Sequence, residues 1–300
     1  MATDTVTMPA VIHANINYFL EISEGGTYVI YPGTAADKLR PLKSVVMPVT
    51  DLRTCTIDKF TLDTHGFQFV PHQASEKTYD DQARIKTTVY KETAAFLKEV
   101  TGATRVFPFS HLVRKHLVDT AVDAAKKVPQ LTDIIPIMTP SLLCHIDQSY
   151  DGARQVLDAN LPTTEAESLS KTRWGIINVW RPIGSAVKRD PLAVCDAGSC
   201  TESDLRKVFA QLPSQGDGSK VSRGKGFEVF NVAHNPNHKW YYASSMTPDE
   251  TLMIKCFDSK LDGRARRTPH TAFQTEFDEG PARQSIEVRC LVFWEDQSVE

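Results

Sequence analysis

The sequence predicts a mainly β protein with added helices (α+β), an antiparallel sandwich or jelly roll braced by helical segments. Three observations carry that prediction. Short runs rich in β-branched and aromatic residues crowd the second half of the chain. Turn residues separate these runs. Helical spacing comes mostly early and strands mostly late, which argues against the regular strand–helix alternation of a parallel-sheet fold.

Taken in order, the first 80 residues mix short apolar runs with turns (GGTYVIYPG, SVVMPVTDLR, DTHGFQFVPH) and read as short strands and loops. Helices are expected over 87–103, ending at Gly102, over 116–128, and over 151–162, where Pro162 stops the pattern. A fourth is expected over 201–212, with Thr201 at or near its N-cap. PFSHLVRKH sets His111 and Arg114 three residues apart, which places them close together on a helix. WGIINVWRP, PLAVCDA, GFEVFNVA, KWYYASSM, ETLMIKCFDS and QSIEVRCLVFW read as strands.

Composition narrows the setting. A chain of 300 residues with 41% hydrophobic and 24% charged residues is an ordinary globular protein that can bury one large core or two modest ones. The net charge of −3 gives no general pull toward nucleic acid or an anionic membrane. No apolar run approaches the roughly 18 residues that a membrane helix needs. The N-terminus lacks a basic segment followed by an apolar core, so no secretory signal is expected. Cys55, Cys144, Cys195, Cys200, Cys256 and Cys290 are scattered and form no CxxC, as expected of reduced thiols. The expectation is a cytoplasmic protein with a small-molecule substrate and no nucleic-acid or membrane partner. A homo-oligomer stays open.

The stretch CHIDQSY (144–150) carries two good metal ligands one residue apart. On a strand, His145 and Asp147 share a face while Ile146 points away. Two histidines and a carboxylate on one side of an ion, with open positions opposite, are the usual ligands of non-haem Fe(II) oxygenases. The bland alternative is a surface His–Asp hydrogen bond. A second histidine is needed, and His234, His238 and His270 are the downstream candidates. Asn235, Pro236 and Asn237 make a turn between the first two. His270 has the better company. Arg283 and Ser285 follow it on a strand-like run and share a face, and an arginine with a serine can grip a carboxylate.

His145-x-Asp147, His270 and Arg283-x-Ser285 together resemble a Fe(II)/2-oxoglutarate-dependent oxygenase. More closely, HIDQSYDGA, NVWRPI, PLAVCDA, HKWYYASSMTPDETLMIKCFDS, PHTAF and RQSIEVRCLVF are similar to the fungal gibberellin-desaturase-like family. That family includes the cephem methoxylase component and the aspergillic acid hydroxylase/desaturase. The resemblance implies a double-stranded β-helix (cupin-like jelly roll) over about 105–295, with 1–104 an N-terminal strand and helix extension of a single domain spanning 1–300. It also implies Fe(II), 2-oxoglutarate and O2, and C–H oxidation in secondary metabolism. His145, Asp147 and His270 carry over as iron ligands. Arg283 carries over as the anchor of the distal 2-oxoglutarate carboxylate, assisted by Ser285. Arg289, on the same strand face, is the alternative anchor.

Further residues are weighed beside these. Asn178 is a candidate contact to 2-oxoglutarate or substrate, or else the partner of a buried backbone group. Arg181 is a candidate for a substrate carboxylate or a structural ion pair. His111 and Arg114 are candidate pocket-wall residues. His238, Trp240 and Tyr242 alternate on one face; His238 and Tyr242 are candidate substrate contacts, or core. Arg264, Arg266 and Arg267 read as a solvated loop. Two other classes compete: a zinc-dependent hydrolase on the same ligands, which gives no role to Arg283 and Ser285, and a non-catalytic partner subunit on an oxygenase fold.

Overall fold

Short runs rich in β-branched and aromatic residues form strands that assemble into two sheets. The computed structural model describes residues 9–212 and 226–300. Its strands are β1 (Val11–Tyr18), β2 (Val29–Ile30), β3 (Lys43–Asp51), β4 (Phe67–Pro71), β5 (Arg105–Arg114), β6 (His145–Ile146), β7 (Thr172–Pro182), β8 (Leu192–Cys195), β9 (Leu205–Gln211), β10 (Gly226–Val232), β11 (Trp240–Tyr242), β12 (Glu250–Asp258), β13 (His270–Ala272) and β14 (Ser285–Ser298). The α-helices are α1 (Ala35–Lys38), α2 (Gln82–Arg84), α3 (Tyr90–Thr101), α4 (Val118–Ala125), α5 (Tyr150–Asn160) and α6 (Thr163–Leu169). A π-helical segment, Ile85–Val89, joins α2 to α3.

The larger sheet has nine strands in the order β1-β3-β11-β8-β13-β6-β10-β9-β2, and the smaller has five in the order β4-β12-β7-β14-β5. Among the named strands of the described residues, only β3–β11 and β2–β9 pair in parallel; their other ladders are antiparallel. The result is the expected jelly roll braced by helices. Strands from the first 104 residues enter both sheets: β1, β2 and β3 the larger, β4 the smaller.

β7 and β14 form the spine of the smaller sheet. They pair from Ser285↔Pro182 to Trp294↔Arg173, then shift register. Alternation gives the spine two unlike faces. Ile177, Val179, Ile286, Val288, Cys290 and Val292 form the outer face, packed under Phe96 and Leu97 of α3. On the inner face, Trp174, Ile176, Leu291 and Phe293 pack on Ile146 and Phe230 of the larger sheet and on α5 and α6. Each such side chain, fully buried, contributes roughly 1.5–3 kcal/mol. Further along the same inner face the residues turn polar: Asn178, Ser285, Glu287 and Arg289. That polar end is where the site lies. A third core, outside the jelly roll, is closed by β1, with Tyr18, Cys144, Cys195, Trp240, Tyr242 and Phe273 inside it.

The helices expected over 87–103, 116–128 and 151–162 are present as α3, α4 and α5, and Gly102 ends α3 at φ 67°. Two expectations are corrected. The segment 201–212 makes only one 3-10 turn, Glu202–Asp204, and then strand β9. Thr201 does cap that turn, but Val208 and Ala210 are buried two apart while Phe209 is exposed, a strand period and not a helical one. PFSHLVRKH lies mostly within β5, so His111 and Arg114, three residues apart, face opposite ways. The basic cluster before β13 is also more tied down than a solvated loop. Arg264 pairs with Asp63 and Asp262, Arg266 lies over the Tyr150 ring, and Arg267 is buried and pairs with Glu202. No helix among the described residues is long and apolar enough to cross a membrane, and all six cysteines are free.

Gly152 in α5 tests the fit between the helical layer and the larger sheet. A Cβ there would come within 1.9 Å of the Glu228 carbonyl oxygen. On an exposed helix, Gly→Ala stabilises by about 1 kcal/mol. Here Gly152→Ala is expected to destabilise by about 1–3 kcal/mol, the cost of overpacking, as read from urea unfolding midpoints.

Candidate active site

β6 and β13 meet at a single register, His145↔His270. Directly opposed residues of an antiparallel pair share a face, and the two rings lie 4.5 Å apart between centroids. Asp147 follows on the same side of its strand end, with Oδ1 3.5 Å from His145 Nε2. One donor atom from each of the three residues lies within 4.8 Å of the other two.

Each imidazole is oriented from behind. His145 Nδ1 lies 2.6 Å from the Leu143 carbonyl oxygen, and His270 Nδ1 lies 3.1 Å from that of Thr268. A carbonyl can only accept, so both rings carry their proton on Nδ1. Both then offer the Nε2 lone pair, the tautomer a metal requires. Burial, and then the neighbouring His145, lower the His270 pKa to about 4, so the ring is neutral at physiological pH.

The carboxylate is held from the other sheet. Asn178 Nδ2 donates to Asp147 Oδ2 at 2.7 Å. Arg289 Nε sits 3.2 Å from the same oxygen, and its Nη2 donates to Oδ1 at 3.4 Å. Burial works to raise the Asp147 pKa, but Arg289 and the two imidazoles hold it well below the ordinary carboxylate value. Arg289 Nε also donates to Glu287 Oε1 at 2.8 Å. One guanidinium thus ties two buried carboxylates together.

His145 and His270 open onto a recess of about 320 Å³, lined also by Arg114, Arg283, Glu287 and Arg289. Arg283 Nη1 donates to the Asp190 carbonyl oxygen at 2.5 Å, while its Nε has no partner. Ser285, buried and directly across the ladder from Arg114, has a hydroxyl without a partner. Burial, and then the Arg114 guanidinium, lower the Arg283 pKa to about 9. Two imidazole nitrogens and a carboxylate at the head of a recess fit the facial ligand set of a non-haem iron site. Unpartnered donors at Arg283 and Ser285 fit an acceptor group at its far end.

The structure therefore groups His145, Asp147, His270, Asn178, Arg114, Arg283 and Ser285. It sets the other candidates elsewhere. Arg181 lies on the outer face of β7, where it donates to the His72 carbonyl oxygen at 2.9 Å and to His72 Nδ1 at 2.6 Å. His111, on the outer face of β5, bonds Tyr90 Oη and Gln82 Oε1, both at 2.9 Å. His238 stacks on Tyr18 and faces Asp204 in the third core. Tyr242 is buried in that core against Phe273. None of these four lines the recess. Sequence reading missed Glu287, although its parity between Ser285 and Arg289 marks it for the same face. It also held Arg289 only as an alternative anchor, whereas Arg289 is engaged with Asp147.

Residues 16–293 match the family described as Oxidoreductase/YMDC permease-like domain. The chain is 42% identical to hydroxylase/desaturase efuI of Hormonema carpetanum, over 99% of this chain and 100% of that protein. The solved iron and alpha-ketoglutarate-dependent endoperoxidase NvfI superposes with a TM-score of 0.75 at 26% identity, covering 96% of this chain and 99% of that one. The chain belongs to the Fe(II)/2-oxoglutarate-dependent oxygenases. Within them it stands close to the hydroxylase/desaturases. A second of these, CTB9 of Cercospora beticola, is 41% identical over 95% of this oxygenase and 87% of its own length.

Arg289 is the cation that both buried carboxylates share. Arg289→Met is expected to destabilise the metal-free oxygenase by about 3–5 kcal/mol, measured by urea unfolding, because Asp147 and Glu287 stay buried without it.

Proposed function

We propose that His145, Asp147 and His270 hold Fe(II) in this oxygenase, and that Arg283 and Ser285 bind the distal carboxylate of 2-oxoglutarate. On this reading the enzyme hydroxylates, desaturates or cyclises a small or medium natural-product intermediate, amino-acid-derived or terpenoid. Succinate and CO2 are released. One observation carries the assignment. Three ligand atoms converge at the head of a recess lined also by buried Arg283, which has a donor to spare, and by Arg114, across the ladder from which Ser285 keeps an unpartnered hydroxyl.

Bound Fe(II) supplies activation of O2, coupled to oxidative decarboxylation of 2-oxoglutarate. The chain's own residues do the positioning. Leu143 and Thr268 fix the imidazole tautomers through their carbonyl groups. Asn178 and Arg289 keep Asp147 ionised and aimed. Arg283 recognises a carboxylate through charge-assisted hydrogen bonds, with Arg114 beside it. Asn178 serves the site through Asp147, as an orienting group, and not through direct contact with 2-oxoglutarate.

A zinc hydrolase on the same ligands leaves the Arg283 end of the recess without purpose, and a non-catalytic subunit leaves the whole ligand set so. The single domain over 1–300, with its β-helix core at about 105–295, is part of this proposal and is supported by the early strands that enter both sheets. A cytoplasmic setting belongs to it too, supported by the free thiols.

Anaerobic addition of Fe(II) and then 2-oxoglutarate is expected to give the visible charge-transfer band of the chelate. His238→Ala is expected to keep the band and His270→Ala to lose it. A parent protein that forms no band and retains zinc would overturn the oxygenase assignment of these residues. Arg283→Ala is expected to weaken 2-oxoglutarate binding about 30-fold or more, the equivalent of about 2 kcal/mol, in a titration of the band. The same variant should bind 2-oxobutyrate, which lacks the distal carboxylate, as the parent does. Equal losses for both keto acids would move the anchor elsewhere.

A further inference from the structure

The third core holds a second group of ligand-type side chains, none of them used by the iron site. Cys200, Asp204 and His238 each offer one donor atom, and the three atoms lie within 4.8 Å of one another. All three residues are buried. Two separate connections bring them together. Cys200 follows the 3-10 turn Ala197–Ser199, and Asp204 closes the turn Glu202–Asp204; both lie between β8 and β9. His238 lies between β10 and β11.

His238 Nε2 is buried and has no hydrogen-bond partner, and its side chain is 0% exposed. It lies 3.4 Å from Asp204 Oδ2, while Nδ1 on the other side of the ring is 3.3 Å from Tyr18 Oη. Two ligands held about 2.1 Å from a tetrahedral ion stand roughly 3.4 Å apart, so this pair is spaced as ligands are. Asp204 accepts from Thr201 N at 2.8 Å and from Asn235 Nδ2 at 3.1 Å. Ligating carboxylates are commonly held from behind in this way. Asp147 has a guanidinium to match its charge. Asp204 has, among the described residues, only the His238 imidazole within ion-pair reach. The nearby guanidinium of Arg267 is engaged by Glu202 and by the Cys200 carbonyl oxygen. Buried charges are paired or coordinate metals. The Cys200 thiol makes one long contact, 3.9 Å, to the Thr201 carbonyl oxygen. A plain His–Asp hydrogen bond explains neither the unpartnered Nε2 nor the thiol beside it.

We propose that Cys200, Asp204 and His238 bind a Zn(II) ion, apart from the iron site. A thiolate and a carboxylate together neutralise the dication, and sulfur with imidazole nitrogen suits zinc. The thiol gives up its proton to solvent on binding. One position remains for a water. The ion ties the β8–β9 connection to the β10–β11 connection. β8 pairs with β13 through Val194↔His270, so this brace stands beside the strand that carries an iron ligand. Its role is structural, and it does not depend on the iron-site reading.

The test strips the whole protein of metal and titrates it with Co(II) without oxygen, as a coloured stand-in for zinc. The iron site offers two imidazoles and a carboxylate but no sulfur. A near-ultraviolet thiolate-to-Co(II) charge-transfer band therefore reports the second site alone. The parent and His270→Ala are both expected to develop this band, saturating at one equivalent, and Zn(II) is expected to abolish it by displacement. Cys200→Ser is expected to lose the band. His238→Ala should weaken Co(II) binding about ten-fold or more. Cys195→Ser, a control for the other thiols of this core, should keep it. In His270→Ala, Zn(II) is expected to raise the thermal midpoint. No thiolate band in the parent, or a band that survives in Cys200→Ser, overturns the proposal. If Cys200→Ser shows no cooperative thermal transition, His238→Ala decides: unchanged affinity overturns the site, and a ten-fold loss supports it. Each of these outcomes leaves the 2-oxoglutarate chelate band at the iron site to be judged separately.

Discussion

Asp147 is a buried carboxylate kept charged, and the site is arranged around that constraint. An isolated buried carboxylate takes up a proton to escape the cost of desolvation. Asp147 escapes it through Arg289 and Asn178, which reach it from β14 and β7. The larger sheet contributes His145 and His270, and the smaller one the groups that hold Asp147. The two sheets therefore have to close on each other for the site to exist. Arg289 in turn needs Glu287, since two carboxylates share its charge. A chain of buried ionic contacts thus runs from Asp147, beside the larger sheet, to Arg289 and Glu287 on one strand of the smaller.

The inner face of the smaller sheet shows how one pattern serves two ends. Toward Trp174 and Phe293 the inward residues are apolar and seal the barrel on α5 and α6. Toward Asn178 and Ser285 they are polar and meet the ligands of the larger sheet. No change in backbone period is needed, only a change of side chain along the same strands. Apolar packing at one end supplies rigidity to the other, which a preorganised ligand set requires. The likeness to efuI and NvfI over nearly the whole chain fits this division, because it spans both the sealed end and the polar one.

The sequence alone determined much of this. His145-x-Asp147 on a strand places both side chains on one face whatever surrounds them, because the β period is two. Arg283 and Ser285 share a face for the same reason. Long runs such as 174–182 and 284–294 are strands by composition as well as pattern. Local chemistry misled where two periods compete. Thr201 is a genuine cap, yet only one turn follows it before β9.

The sequence favoured His270 through the company of Arg283 and Ser285, but only the tertiary structure brings that ring to His145. Strand order does this: β13 pairs with β6, whereas His238 is carried into the third core beneath Tyr18. Strand order likewise sends Arg181 and His111 to the outer face and brings Arg289 to Asp147. A side chain's face follows from its parity within a strand. What that face meets depends on long-range pairing, which no short stretch of sequence contains.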